Sequence, residues 1–91
     1  MKVTKRNGNI VYYDDEKVEK SILKANRGTV GEPMTEKTAA YISGVVFGRL
    51  AEEEEIISSR DVRACVVKVL NELRYPETAA RYDAYKKAKY Q

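Results

Sequence analysis

Ninety-one residues, 43% hydrophobic and 34% charged, suit one compact domain over 1–91, and the mixed sign of the charge is unlike the single-sign excess that keeps chains unfolded. The 17 Lys and Arg against 14 Asp and Glu leave a net +3, mild for a nonspecific nucleic-acid binder, and the longest charge-free apolar stretch, around residues 42–47, falls far short of the ~20 residues that span a bilayer. With no His and a lone Cys65, an internal disulfide, a catalytic Cys-His or Ser-His pair and the usual zinc ligands are excluded.

The first thirteen residues hold Lys2, Lys5 and Arg6 with no acid, and do not lead into an apolar export signal, so a cytoplasmic, reducing location is expected. Residues 2–6 and 9–13 are short β-prone runs separated by Asn7-Gly8, a pair that accepts the positive φ angles of a hairpin turn. If the turn is the two-residue form, Val3, Lys5, Ile10 and Tyr12 share one face and Thr4, Arg6, Val11 and Tyr13 the other. A slip of one residue exchanges the faces.

Asp14 or Asp15 then caps a helix whose Val18, Ile22 and Ala25 recur at helical spacing until Asn26-Arg27-Gly28 stops it. A longer helix begins at Thr35 and runs to about Glu53, with Ala39, Ile42, Val46 and Leu50 as its buried stripe. Gly44 and Gly48 on that helix read as a site of close packing against another element. Glu52, Glu53, Glu54 and Glu55 form an acidic run expected at a solvated helix end or loop. Residues 55–58 read as a third short strand laid against the hairpin, with Ser59 as the cap of the next helix. There Val62, Cys65, Val66, Val69, Leu70 and Leu73 give the clearest helical periodicity of the chain. Pro76 opens a last helix in which Ala79, Tyr82 and Tyr85 sit at core spacing, and whose far end is rich in lysine. The predicted order is ββααβαα.

Lys5 and Arg6 at the hairpin tip and Lys17 in the first turn of the first helix are brought together by a three-residue connection. The helix terminus adds backbone N–H groups and the positive end of its dipole, a combination suited to polyphosphate. Three segments carry a family resemblance. Val3-Thr4-Lys5-Arg6-Asn7-Gly8, followed by Asp14, Lys17, Val18 and Ile22, resembles the opening of the ATP-cone domain. Ile57-Ser58-Ser59-Arg60-Asp61-Val62 with Val66 and Leu70, and Ala79-Ala80-Arg81-Tyr82 with Tyr85-Lys86-Lys87, are similar to its second half, so the likeness spans nearly the whole chain.

The resemblance implies an α+β fold, a four-helix cluster capped by a small three-stranded sheet that includes the N-terminal hairpin. It also implies that Lys5, Arg6 and Lys17 contact a triphosphate, with Val3 and Val18 against the adenine. Asp14 and Ser59 fall where some members touch nucleotide, and Arg63 where a basic or polar residue faces a second phosphate group or a second nucleotide. Asn7 stands where many members have Asp, and Val11 and Tyr12 at positions that are often polar. ATP-cones are allosteric modules of ribonucleotide reductases and of the repressor of reductase genes.

The expected function is therefore a noncatalytic regulatory domain that binds ATP or dATP, with Mg2+ carried on the nucleotide. Its expected partners are a reductase subunit, another protein domain or a second copy. No Walker-type glycine loop, Asp pair for Mg2+ or nucleophile with a base is visible. The alternative is a nucleic-acid-binding or scaffold module using the basic C-terminal helix, in which Tyr82, Tyr85 and Tyr90 interleave with Arg81, Lys86, Lys87 and Lys89.

Overall fold

The order ββααβαα is the order found in the computed structural model, which describes residues 1–53 and 56–89. Its elements are β1 (Lys2–Thr4), β2 (Ile10–Tyr12), α1 (Asp15–Arg27), α2 (Glu36–Ala51), β3 (Ile56–Ser58), α3 (Ser59–Glu72) and α4 (Pro76–Lys89). Glu54, Glu55 and Tyr90, invoked above, lie outside the described residues.

β1 is the central strand of a mixed three-stranded sheet, antiparallel to β2 and parallel to β3. The hairpin register differs from the two-residue form. Val3 pairs with Val11 and Thr4 with Ile10, so Arg6-Asn7-Gly8 form a three-residue loop. The Gly8 N–H donates to the Lys5 carbonyl at 2.9 Å, the Lys5 N–H to the Asn9 carbonyl at 2.7 Å, and Gly8 takes φ +89°. A type I turn followed by a left-handed residue is the usual geometry of this loop length. The Asn7 side chain accepts from the Asn9 N–H at 3.0 Å and fixes the turn. In this register Val3, Lys5, Val11 and Tyr13 share the inward face, while Ile10 and Tyr12 point to solvent at 56% and 74% exposure. The side-chain alternation of a strand makes this one-residue change exchange the whole of β2 between the faces.

The helices close a ring of neighbours, α1 on α2, α2 on α3, α3 on α4 and α4 on α1. Ile22, Ile42, Val46, Val66, Val69 and Leu70 are fully buried at its centre, and Val3 and Ile57 add the sheet to the same core. The starts of α1, α2 and α3 are satisfied locally. The Asp14 carboxylate accepts from the Lys17 N–H, and Thr35 accepts from the Thr38 N–H. The α3 cap is Ser58 rather than Ser59: its hydroxyl accepts from the Asp61 N–H while Asp61 accepts from the Ser58 N–H, a reciprocal capping box. Leu73 ends α3 as its C-cap, 40% exposed, instead of continuing the buried stripe.

Two longer-range caps tie α4 to the end of α1 and to the loop that follows it. The Glu32 carboxylate accepts from the Glu77 N–H, the Thr78 N–H and the Thr78 hydroxyl, each at 2.8 Å, and so caps α4 from a distant loop. Partial desolvation opposes its ionised form, but the hydrogen bonds from Thr78 and Glu77 outweigh that and hold the Glu32 carboxyl below its usual range. Arg81 Nε donates to the Ala25 carbonyl at 3.2 Å, and the guanidinium lies where a Cβ on Gly28 would stand. That space, and not a left-handed conformation, is what glycine supplies at the end of α1, since its φ is −85°.

Two expectations are corrected. Gly44 and Gly48 face open space, with no atom within 4 Å of an added Cβ, because the buried stripe of α2 runs through Ala39, Ile42, Ser43, Val46 and Leu50 on its opposite side. Tyr85 is 41% exposed, with Lys24 Nζ 4.7 Å from its ring centre, because only Ala79 and Tyr82 of that row reach the core. No described helix is long and apolar enough to cross a membrane.

Candidate nucleotide-binding cleft

A cleft of about 700 Å³ lies between the inward face of the hairpin and the starts of α1 and α3, with α4 along one side. The volume falls within the roughly 300–1,000 Å³ of small-molecule sites. All eight residues singled out from the sequence line it. Val3, Lys5 and Arg6 come from the hairpin, Asp14, Lys17 and Val18 from the start of α1, and Ser59 and Arg63 from α3.

The hairpin register decides what reaches the cleft. Lys5 follows Val3 on the inward face, and Val11 enters beside Val3 because the two residues pair. Val3 and Val18 are buried, and with Val11 and Val62 they give the cleft an apolar wall. The same pairing carries Tyr13 inward, where its ring meets that of Phe47 at 5.4 Å and its hydroxyl donates to the Ser43 carbonyl. Burial raises the Tyr13 phenol from 10.0 to about 12, with Ser43 working in the opposite direction and Asp15 adding to the rise.

Charge is distributed unevenly in the cleft. Lys5, Arg6, Lys17, Arg60, Arg63, Lys86 and Lys87 line it against one carboxylate, Asp14. Part of this charge is met from behind: Arg63 and Lys87 reach the two oxygens of Asp83 at 3.4 and 3.0 Å. Among the described residues Lys5, Lys17 and Arg60 make no ion pair. Two helix N-termini, those of α1 and α3, also border the cleft. Their first-turn N–H groups and dipoles add positive potential to that of the side chains. The whole is a cleft of positive potential with an apolar wall.

Sequence reasoning missed Arg60, Lys86 and Lys87 as lining residues. The signal existed, because Tyr82 is the buried ring of α4 and Lys86 stands one turn beyond it on the same face. Lys86 crosses to α1, its Nζ donating to the Ser21 hydroxyl at 3.3 Å and lying 5.6 Å from the centre of the Tyr82 ring. Ser21 and Tyr82 thus complete the wall between α1 and α4.

Comparison with known protein families matches residues 1–90 to the ATP cone domain, essentially the whole chain. No curated protein matches the chain significantly. The matched family is a nucleotide-binding regulatory module that binds adenine nucleotides and performs no catalysis of its own.

Proposed function

Because the chain belongs to the ATP cone domain family, we propose that it is an allosteric sensor that takes ATP or dATP into the cleft beneath the hairpin. Occupancy then changes its contacts with a ribonucleotide reductase subunit, a related protein domain or a second copy. The observation that supports this reading is the convergence of seven cations and two helix N-termini on one cleft with a single carboxylate and an apolar wall. A triphosphate brings about four negative charges, and charge-assisted hydrogen bonds of roughly 1.5–3 kcal/mol each from three cations, added to the apolar wall, place affinity near the micromolar range.

In this reading Lys5, Arg6 and Lys17 hold the phosphates at the hairpin end, and the adenine rests on Val3 and Val18, with Val11 as an added apolar contact. Ser59 and Asp14 supply polar contacts at the two helix starts, although Asp14 is also engaged in capping α1. Arg63, with Arg60 and Lys87, offers a second cationic group for the far end of the phosphates or for a second nucleotide. Among the described residues no three His, Cys, Asp or Glu side chains cluster as a metal site. Mg2+ therefore enters in this reading held by the phosphates. A cytoplasmic location is where the nucleotide pool and the partners lie.

Sensing requires that nucleotide bind two states of the protein unequally. Tyr13 is the residue through which the cleft reaches α2, because it touches both.

The nucleic-acid reading has less support. Tyr82 is buried, Lys86 is held on Ser21 and Lys87 pairs with Asp83, so the basic row of α4 is turned toward α1 and the cleft. Calorimetric titration of ATP and dATP at low salt tests the proposal. Saturable heat that falls several-fold in Lys5→Ala and Lys17→Ala is expected, and no heat at millimolar nucleotide contradicts it. Salt-steep DNA or RNA retention that survives both substitutions supports the alternative.

A further inference from the structure

The outer face of α2 is anomalous for a surface helix. In a chain that is 34% charged, residues 38–48 contain no charge. The inward stripe is buried, yet the opposite side is uncharged over this stretch as well: Tyr41 is 63% exposed, and Gly44 and Gly48 open onto empty space. A helix that is apolar all round is normally covered on every side.

Lys37, Tyr41, Gly44, Gly48 and Ala51 recur at alternating spacings of four and three, so they form one seam along this outer face, and all five are exposed. The seam holds a large ring at one end and a notch of two glycines at the other, with Lys37 before the ring and the exposed Glu52 beyond the notch. These features are complementary under a two-fold axis. An antiparallel pairing centred between Gly44 and Val45 sets Tyr41 against Gly48 of the second copy and Lys37 against its Glu52, and each contact occurs twice because a two-fold interface is isologous.

We propose that α2 is a docking surface for α2 of a second copy of this chain, packed antiparallel. Each Tyr41 ring fills the other copy's Gly44–Gly48 notch, and each Lys37 faces Glu52. Glycine in the seam allows the helix axes to approach to the short end of the usual 8–10 Å range. One helix face supplies fewer residues than the roughly 20–30 per side of a stable interface, so the dimer is weak and its population follows concentration. This pairing does not depend on what the cleft binds.

Sedimentation of the 91-residue chain from about 10 µM to about 1 mM tests the proposal. The wild type is expected to move from the mass of one copy toward that of two. Gly48→Gln, which fills the notch, is expected to weaken association roughly tenfold or more. Glutamine at an exposed glycine favours the helix, so that loss is not unfolding, and far-UV circular dichroism confirms it. Lys37→Glu and Glu52→Lys each weaken association several-fold, and the two together restore it, a pattern that identifies the opposed pair. A one-copy mass throughout the range, association that Gly48→Gln leaves unmoved, or a double reversal no better than the single ones overturns the proposal.

Discussion

The Tyr13 hydroxyl donates to the Ser43 carbonyl at 3.3 Å, binding a residue that lines the cleft to the middle of α2. Ser43 in turn donates to Asp15 at the start of α1, through either the carbonyl or the carboxylate oxygen at 3.2 Å. These hydrogen bonds tie the end of the hairpin, the start of α1 and the centre of α2 together.

Tyr13 is expected to ionise late. Its folded pKa of about 12 lies above the ordinary 10.0, so the stability linked to its neutral form is fully present below pH 10 and is lost as pH rises toward 12. Absorbance titration of the phenolates should show a component with a midpoint near 12 that is absent in Tyr13→Phe. Tyr13→Phe should also cost about 1 kcal/mol at neutral pH through the lost hydrogen bond. A titration curve unchanged by the substitution contradicts the placement of this ring.

The two neighbouring serines should separate stability from binding. Ser58 caps α3 within a reciprocal box, and Ser58→Ala is expected to cost about 1 kcal/mol in denaturant unfolding. Ser59, the first residue of the helix, makes no cap, so Ser59→Ala should leave the unfolding midpoint nearly unchanged while weakening ATP binding modestly. The reverse pattern contradicts both assignments.

Glu32 should shape the acid limb of stability. Because its folded pKa lies below the ordinary 4.5, its contribution is present above pH 4.5 and is lost as pH falls through the lowered folded value. Glu32→Gln should be less stable than wild type at neutral pH, with the difference narrowing below pH 4.5 as the wild-type carboxylate is protonated. Glu72, lowered mainly by its hydrogen bonds to Arg49, titrates with the same sign, so the comparison is best made in an Arg49→Ala, Glu72→Ala background. A gap that does not narrow contradicts the remote cap on α4.

Element order and the helical cores follow from apolar spacing, which is why Ile22, Ile42, Val46, Val66 and Leu70 are all buried where periodicity places them. The hairpin register does not, because Asn7-Gly8 serves equally in a two-residue turn and at the end of a three-residue one. The choice is made by tertiary packing, which draws Tyr13 inward against Phe47 and so sets Val11 beside Val3 on the cleft side. The convergence of Lys5, Arg6 and Lys17 on one cleft was legible from the short connection between their elements. Lys86 and Lys87 were not, since only the packing of α4 against α1 turns a lysine-rich terminus into a wall of the cleft. For Gly44 and Gly48, small size is compatible with close packing and with an open surface alike, and the phase of the buried stripe decides between them.

The central claim is that adenine nucleotide enters the cleft between the hairpin and the starts of α1 and α3. Amide chemical shifts recorded during titration with ATP test it residue by residue. The account predicts saturable changes gathered at residues 3–6, 14–18, 58–63 and 82–87. Shifts absent at millimolar ATP, or gathered instead around Glu32 and Thr78 at the far end of α4, would contradict it.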